Sequence, residues 1–171
     1  MKTTINNNRI IIVNGGAKVG KDTFVNQCAK NKTFGSKVVH ISIVDKVKDI
    51  ARYCGWDGEK TDKNRKFLSD LMDVLTEWDE VTLKSIAKAV MARKNKIIFI
   101  DAREPDDIDA LKMYYDGITV LIKNDNIEPI KSNHADANVE DYNYDYIIYN
   151  NGSIETLRDS ADVFLEEIMN D

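Results

Sequence analysis

The chain has 171 residues and a mass of 19.5 kDa, the size of one domain with a continuous hydrophobic core. Its formal net charge is −5, and its lysines and arginines are scattered, which argues against a surface that binds double-stranded nucleic acid. The longest aliphatic run, residues 10–13, is too short for a membrane span or for the apolar part of a signal peptide.

The two cysteines, Cys28 and Cys54, match no metal-binding or redox spacing, so we expect buried thiols in a reducing compartment. We therefore expect a cytoplasmic protein that acts on small molecules as a monomer or homodimer, without a nucleic-acid or membrane partner.

Short aliphatic runs alternate with amphipathic segments of helix length, which is typical of a parallel sheet covered by helices on both faces. The predicted strands are residues 10–13, 38–43, 96–100, 118–122 and 146–149. The predicted helices are residues 21–31, 45–54, 62–77, 79–94, 106–115 and 153–169. The sequence thus predicts a single three-layer α/β/α domain with a five-stranded parallel sheet, whose core comprises residues 9–44 and 95–171.

Two segments exceed an ordinary connection between strands. Residues 45–94 contain two or three predicted helices and form an inserted helical lobe. Residues 123–143 form a long irregular stretch, and a loop of this length is typical of a functional lid or a disordered segment.

A glycine-rich loop follows the first predicted strand. Gly15 and Gly20 enclose four residues and precede Lys21, which matches the GxxxxGK pattern between a strand and a helix. In such a loop, backbone N–H groups converge on one concavity and the helix N-terminus adds positive charge, so phosphate binds there. Lys21 is expected to reach the β- and γ-phosphates of ATP, with Lys18 as a second cation. The alternative is a glycine-rich turn with an exposed lysine. The predicted ATP-binding residues are Gly15, Gly16, Ala17, Lys18, Val19, Gly20, Lys21, Asp22 and Thr23.

Asp22 stands where the usual pattern has Ser or Thr, whose hydroxyl coordinates Mg²⁺. A carboxylate is also a hard oxygen ligand, so Asp22 is a candidate ligand of Mg²⁺, directly or through water. Asp101 ends an apolar strand and is the second candidate metal ligand, because carboxyl ends of parallel strands converge on the ligand. Arg103 follows and is positioned to neutralise charge on a transferring phosphoryl group, unless it pairs with neighbouring aspartates. The predicted catalytic residues are Lys21, Asp101 and Arg103.

Four segments together carry a resemblance to a known family. "GGAKVGKDTF" and "IDAREPDDI" are similar to the phosphate loop and the second acidic segment of phage-type deoxynucleoside monophosphate kinases. "GWDGEKTDKNRKFLSDLMDVLTEW" resembles their helical substrate lobe, and "SNHADANVEDYNYDYIIYNNGSIETL" resembles their lid and final strand. The resemblance runs from about residue 9 to residue 168 and implies a nucleoside-monophosphate-kinase-like phosphate-loop fold.

The resemblance also implies roles for further residues. Asp45, Arg65 and Lys66 correspond to the substrate helix and to cations for an acceptor phosphate. Asn150 and Asn151 lie where such kinases hold the adenine edge. Asn133, His134 and Asp136 are candidate acceptor contacts, although His134 is equally well interpreted as a solvated loop residue.

The resemblance thus implies Mg²⁺-dependent transfer of phosphate from ATP to a nucleoside or deoxynucleoside monophosphate. The lid departs from the family, because it contains only Lys123 and Lys131 as cations where arginines usually stand. Two alternatives follow: a kinase of the same fold with a non-nucleotide acceptor, or an ATP-binding regulatory module that has lost catalysis.

Overall fold

The computed structural model describes residues 5–59, 61–128, 139–140 and 142–170. The chain divides into two compact units, and the first comprises Met1–His40 and Arg93–Asp171. The second unit is Ile41–Ala92. Among the described residues, no helix combines the length and hydrophobicity that a membrane crossing requires.

A five-stranded, all-parallel sheet forms the centre of the fold, as predicted from the alternating pattern. Its strands lie in the order β2-β3-β1-β4-β5. Pairing of Val13 with Asp101 and of Asn14 with Leu121 brings the carboxyl ends of β3, β1 and β4 to one edge. The strands are β1 (Arg9–Asn14), β2 (Val38–Ser42), β3 (Ile97–Asp101), β4 (Ile118–Lys123) and β5 (Tyr146–Tyr149).

All of the predicted helices are present, with ends within about three residues of the expected positions. The helix after β1 ends at Ala29, because the backbone N–H groups of Lys30 and Asn31 donate to the carbonyls of Gln27 and Cys28 and close its last turn. The helices are α1 (Lys21–Ala29), α2 (Asp45–Tyr53), α3 (Asp62–Asp79), α4 (Val81–Met91), α5 (Pro105–Tyr115) and α6 (Ile154–Asn170).

Alternation along the strands separates two buried faces of the sheet. On one face, α1 and α6 cover the strands, and Phe24, Phe99 and Phe164 pack with ring centroids 5.7–6.4 Å apart. On the other face, α5 contacts β1 and β4, and the alternate residues of the strands are fully buried. Coverage of both faces fits the largely apolar sequences of the three central strands, β1, β3 and β4.

The second unit contains α2, α3 and α4, which contact one another. Thr61 caps α3, because its Oγ1 accepts a hydrogen bond of 3.2 Å from the backbone N–H of Asn64. Glu80 adopts a left-handed conformation with φ of 47° and separates α3 from α4. Of the two cysteines, Cys28 is buried as expected, whereas Cys54 is exposed because it follows the last turn of α2.

Candidate functional site

The loop between β1 and α1 has the backbone conformation that its glycines permit. Gly15 and Gly20 have φ angles of 150° and 100°, which side-chain-bearing residues rarely adopt. The Lys21 Nζ donates hydrogen bonds to the carbonyl oxygens of Gly15 at 2.6 Å and Gly16 at 3.3 Å. The ammonium is therefore held against the loop. Lys18 is exposed in the same loop.

Asn14, which sequence reasoning missed, fixes the base of this loop. It is the last residue of β1 and only 1% exposed. Its Oδ1 accepts a hydrogen bond from the Gly15 N–H at 2.8 Å. Its Nδ2 donates to the Arg103 carbonyl at 3.2 Å and to the Tyr144 hydroxyl oxygen at 2.8 Å. The sequence does show a polar residue between an aliphatic strand and a glycine, which could have indicated a structural role. Its partners lie 89 and 130 residues away, so local patterns do not reveal them.

Tyr144 extends this connection toward residue 139. Its hydroxyl donates to the Val139 carbonyl at 2.9 Å while it accepts from Asn14. Burial raises the pKa of Tyr144 to about 12, so the phenol stays protonated and remains a donor into the alkaline range. One side-chain pair thus links the loop, the segment after β3 and the segment before β5.

Asn150 and Asn151, the predicted adenine contacts, form hydrogen bonds within the protein. The Asn150 Nδ2 donates to the Val19 carbonyl of the loop at 2.9 Å. Asn151 exchanges two hydrogen bonds of 2.8 Å with Asp125, through the backbone N–H and the carboxylate of that residue. The two asparagines therefore brace the glycine-rich loop and the turn after β4.

Two carboxylates and a histidine converge beside the loop. The Asp101 Oδ2 lies 3.0 Å from the His40 Nε2 of the neighbouring strand. Asp22, in the first turn of α1, brings a carboxylate oxygen into a group whose ligand atoms all lie within 4.8 Å of one another. The structure therefore brings together the two predicted metal-binding aspartates. It adds His40, which sequence reasoning missed because an alternate strand position is ordinarily a packing or surface site.

Arg103 is exposed just beyond β3, and its backbone is held by Asn14. Downstream, α5 begins with Pro105 and two aspartates. Burial, followed by repulsion from Glu104 and Asp106, raises the pKa of Asp107 to about 6. The segment after β3 therefore carries an acid that titrates near neutral pH.

Three of the predicted acceptor residues, Asp45, Arg65 and Lys66, lie in the second unit. The Asp45 Oδ2 accepts the Ser42 N–H at 2.8 Å, so this carboxylate closes the turn before α2. Lys66 forms an exposed ion pair with Asp70 one turn along α3, at 2.8 Å. Arg65 is exposed on the same helix.

Part of the predicted lid contributes to the described structure. The Lys123 Nζ forms an ion pair of 2.8 Å with Glu140, and the hydrogen bond between them raises the pKa of Lys123. Three candidate acceptor contacts and one lid cation lie outside the described residues; these are Asn133, His134, Asp136 and Lys131.

The five-stranded parallel sheet, with helices on both faces and a glycine-rich loop after its central strand, makes up a three-layer α/β/α fold. The structure of thymidylate kinase from Ehrlichia chaffeensis shares this fold, with a TM-score of 0.52 and 18% identity over 92% of this chain and 98% of that chain. A sugar kinase from Janibacter sp. HTCC2649 aligns with a TM-score of 0.45 and 18% identity, covering 93% and 95% of the two chains. No protein-family model and no curated protein sequence matches this chain.

Proposed function

We propose that the protein is an ATP-dependent kinase that phosphorylates a nucleoside or deoxynucleoside monophosphate to the diphosphate. The observation that carries this proposal is the loop at Gly15–Gly20, with the Lys21 ammonium held against it and the carboxylates of Asp22 and Asp101 beside it. This arrangement offers backbone donors, a cation and hard oxygen ligands within one small region.

The residues beside the loop fit a magnesium ion. Asp22 and Asp101 supply carboxylate oxygens, and the Asp101 Oδ1 is buried without a hydrogen-bond partner among the described residues. A buried carboxylate oxygen without a donor is costly, and a cation would satisfy it. When bound, Mg²⁺ supplies charge neutralisation between the phosphates of ATP. Asp22 and Asp101 are the residues that would hold it, directly or through water.

The chain's own residues would contribute mainly positioning and electrostatics, because phosphoryl transfer requires little covalent chemistry from the protein. Loop N–H groups and Lys21 would hold the β- and γ-phosphates of ATP, and Lys18 would add charge. Arg103 would stabilise the negative charge that spreads over the transferring group. Asp45, Arg65 and Lys66 are proposed to bind the acceptor, with Lys66 exchanging Asp70 for the acceptor phosphate.

Kinase activity is tested by incubating the full chain with ATP, Mg²⁺ and each common ribo- and deoxyribonucleoside monophosphate, and by separating the products chromatographically. We expect ADP and a nucleoside diphosphate in equal amounts with at least one acceptor. Lys21→Ala should lower kcat/KM by at least about a hundredfold, because it removes the positive charge that is proposed to contact the phosphates of ATP.

Lys30→Ala is the matched control, because Lys30 is exposed at the far end of the same helix. It should retain wild-type kinetics. If no acceptor yields a nucleoside diphosphate, the proposed nucleoside monophosphate kinase activity is refuted.

A second candidate function is an ATP-binding module without turnover. The specific observation is that Lys123, a lid cation in the described part of the chain, is engaged by Glu140. This candidate predicts that ATP raises the melting temperature while no acceptor yields product and no ADP accumulates. Glu140→Gln distinguishes the two candidate functions because it removes the ion pair with Lys123. It should raise kcat if the protein is a kinase in which this ion pair holds Lys123 away from the phosphates. It should leave an ATP-binding module inactive.

A further inference from the structure

We propose that Asp22, His40 and Asp101 form a binding site for a divalent first-row transition ion, such as Mn²⁺, Co²⁺ or Zn²⁺, in the nucleotide-free protein. The site shares two carboxylates with the proposed magnesium position, but it adds an imidazole nitrogen. Its existence does not depend on the chain being a kinase, because the ligands are all protein atoms.

The separation of the ligand atoms supports one shared ion. With metal–ligand bonds of about 2.1 Å, two ligands at right angles lie about 3.0 Å apart and opposed ligands lie about 4.2 Å apart. The His40 Nε2 and the Asp101 Oδ2 are separated by 3.0 Å, and the three ligand atoms fall within 4.8 Å of one another. Asp22 is exposed, so its side chain has room to turn toward the ion.

Two further features prepare the site for a cation. The Asp101 Oδ1 is buried and has no hydrogen-bond partner among the described residues, so this carboxylate is incompletely satisfied without an ion. His40 and Asp101 stand on adjacent strands of the sheet, which holds their spacing rigid. An ion between the two atoms takes the place of this contact, and the imidazole binds it as a neutral ligand, with Nε2 free of its proton and Nδ1 carrying one.

The imidazole determines which ions the site favours. Mg²⁺ prefers oxygen ligands and retains its water shell, whereas an imidazole nitrogen is a good ligand for first-row transition ions, with affinity rising from Mn²⁺ to Cu²⁺. Two carboxylates and one neutral imidazole balance the charge of a divalent ion and leave coordination positions for water. The residue set therefore favours a transition ion over Mg²⁺ when no nucleotide is present.

Cobalt binding to the untagged, nucleotide-free full chain tests the proposal. Co²⁺ is titrated while the visible absorption spectrum and the heat of binding are recorded. We expect one Co²⁺ per chain, with new absorption bands, and displacement by Zn²⁺ but not by equimolar Mg²⁺. His40→Asn should weaken binding at least tenfold and alter the spectrum.

Asp159→Asn is the matched control, because Asp159 is an exposed carboxylate on α6 and lies outside the proposed ligand set. It should bind Co²⁺ as the wild type does. Asp22→Asn, a substitution at an exposed position, should also weaken binding, which guards against a folding defect in the His40 variant. Wild-type binding in both His40→Asn and Asp22→Asn, or no Co²⁺ binding by the wild type, would overturn the proposal. Neither result would bear on the kinase assay, which supplies Mg²⁺ and nucleotide.

Discussion

Single residues at the glycine-rich loop combine backbone conformation with close contacts. Gly20 has a φ angle of 100°, and a Cβ at this position would collide with the Asn150 Nδ2. That amide donates to the Val19 carbonyl. The loop therefore tolerates Asn150 only because residue 20 has no side chain, which couples two positions 130 residues apart.

This coupling predicts a non-additive double substitution. Gly20→Ala should destabilise the protein by about 2 kcal/mol or more, because it adds backbone strain and a collision. Asn150→Ala should cost about 1 kcal/mol for the lost hydrogen bond. The double variant should be more stable than the sum by at least about 0.5 kcal/mol, since the collision is gone. Urea unfolding measures all three.

Gly58 provides the control for backbone strain alone. Its φ angle is 92°, and a Cβ there would meet nothing within 4 Å. Gly58→Ala should therefore cost less than Gly20→Ala and should not couple to Asn150→Ala. Strict additivity of the Gly20 and Asn150 substitutions would contradict the described contact.

The raised pKa of Asp107 predicts how the free energy of unfolding changes with pH. Its pKa is raised from 3.8 to about 6 in the folded protein, chiefly by burial. The folded state then holds the proton more tightly than the unfolded state, so stability rises as the pH falls from about 6 toward 4. At pH 7.5, Asp107→Asn should stabilise the protein by about 1 kcal/mol, allowing for solvent screening and a lost helix N-terminal charge.

The difference between Asp107→Asn and the wild type should shrink as the pH falls and vanish below about pH 3, where the proton is bound in both states. Asp159→Asn, at an exposed position on α6, should change stability by less than about 0.5 kcal/mol at either pH. A difference for Asp107→Asn that is constant between pH 4 and pH 7.5 would show that its burial does not shift the titration.

At the scale of elements, the ends of the strands organise the candidate site. β1 ends at Asn14, β3 ends at Asp101, and residues 144 and 150 flank β5. Hydrogen bonds among these ends join segments that lie on different strands. Regular pairing supplies the framework, whereas side-chain bonds at the strand ends position the loop.

Removal of the Tyr144 hydroxyl tests this linkage between elements. Tyr144→Phe loses the bonds to Asn14 and Val139, so we expect a loss of about 1–2 kcal/mol in the free energy of unfolding. Tyr144→Phe retains the aromatic ring, so any effect comes from the lost hydroxyl. If Asn14 positions the glycine-rich loop, ATP affinity should fall as well. Calorimetric ATP titration and urea unfolding measure the two effects separately.

Tyr142→Phe is the matched control, because the Tyr142 hydroxyl donates to Asp109 at 2.6 Å at an exposed position. It should lower stability by less than about 1 kcal/mol and leave ATP affinity unchanged. Equal loss of ATP affinity in Tyr144→Phe and Tyr142→Phe would contradict the claim that the Tyr144 hydroxyl positions the loop through Asn14.

At the scale of the whole molecule, the proposed donor and acceptor residues belong to different compact units. The glycine-rich loop and Asp101 lie in the first unit, and α3 with Arg65 and Lys66 lies in the second. A ligand that binds only folded protein stabilises the region that contacts it and adds to the free energy of unfolding. The two ligands of a kinase should therefore leave separate protection patterns.

Hydrogen exchange is expected to distinguish the two units. ATP with Mg²⁺ should slow amide exchange in residues 15–23, with little effect in α3, because its phosphates contact the loop N–H groups. An accepted nucleoside monophosphate should slow exchange in α3. At one hundred times its Kd, ATP should add about 2.7 kcal/mol to the free energy of unfolding. Protection of α3 by ATP with no change in the loop would contradict the assignment of the donor site.

The sequence by itself determined the fold class, the five strands, the helices and the glycine-rich loop of this protein. These features follow from local hydrophobic periodicity and from glycines at turn positions, which act over a few neighbouring residues. Asp22 and Asp101 were predictable as neighbours because Asp101 ends one strand, Asp22 follows the loop after another, and the carboxyl ends of parallel strands meet at one edge. Their assignment as metal ligands remains a prediction.

Only the tertiary structure decided which side chains meet. His40 is an ordinary alternate residue in β2 until pairing of the sheet places it 3.0 Å from Asp101. Asn14 and Tyr144 are 130 residues apart, and Asn150 reaches back to Val19. Such contacts depend on strand order and register, which local patterns do not encode, because pairing partners are chosen by the packing of the whole sheet.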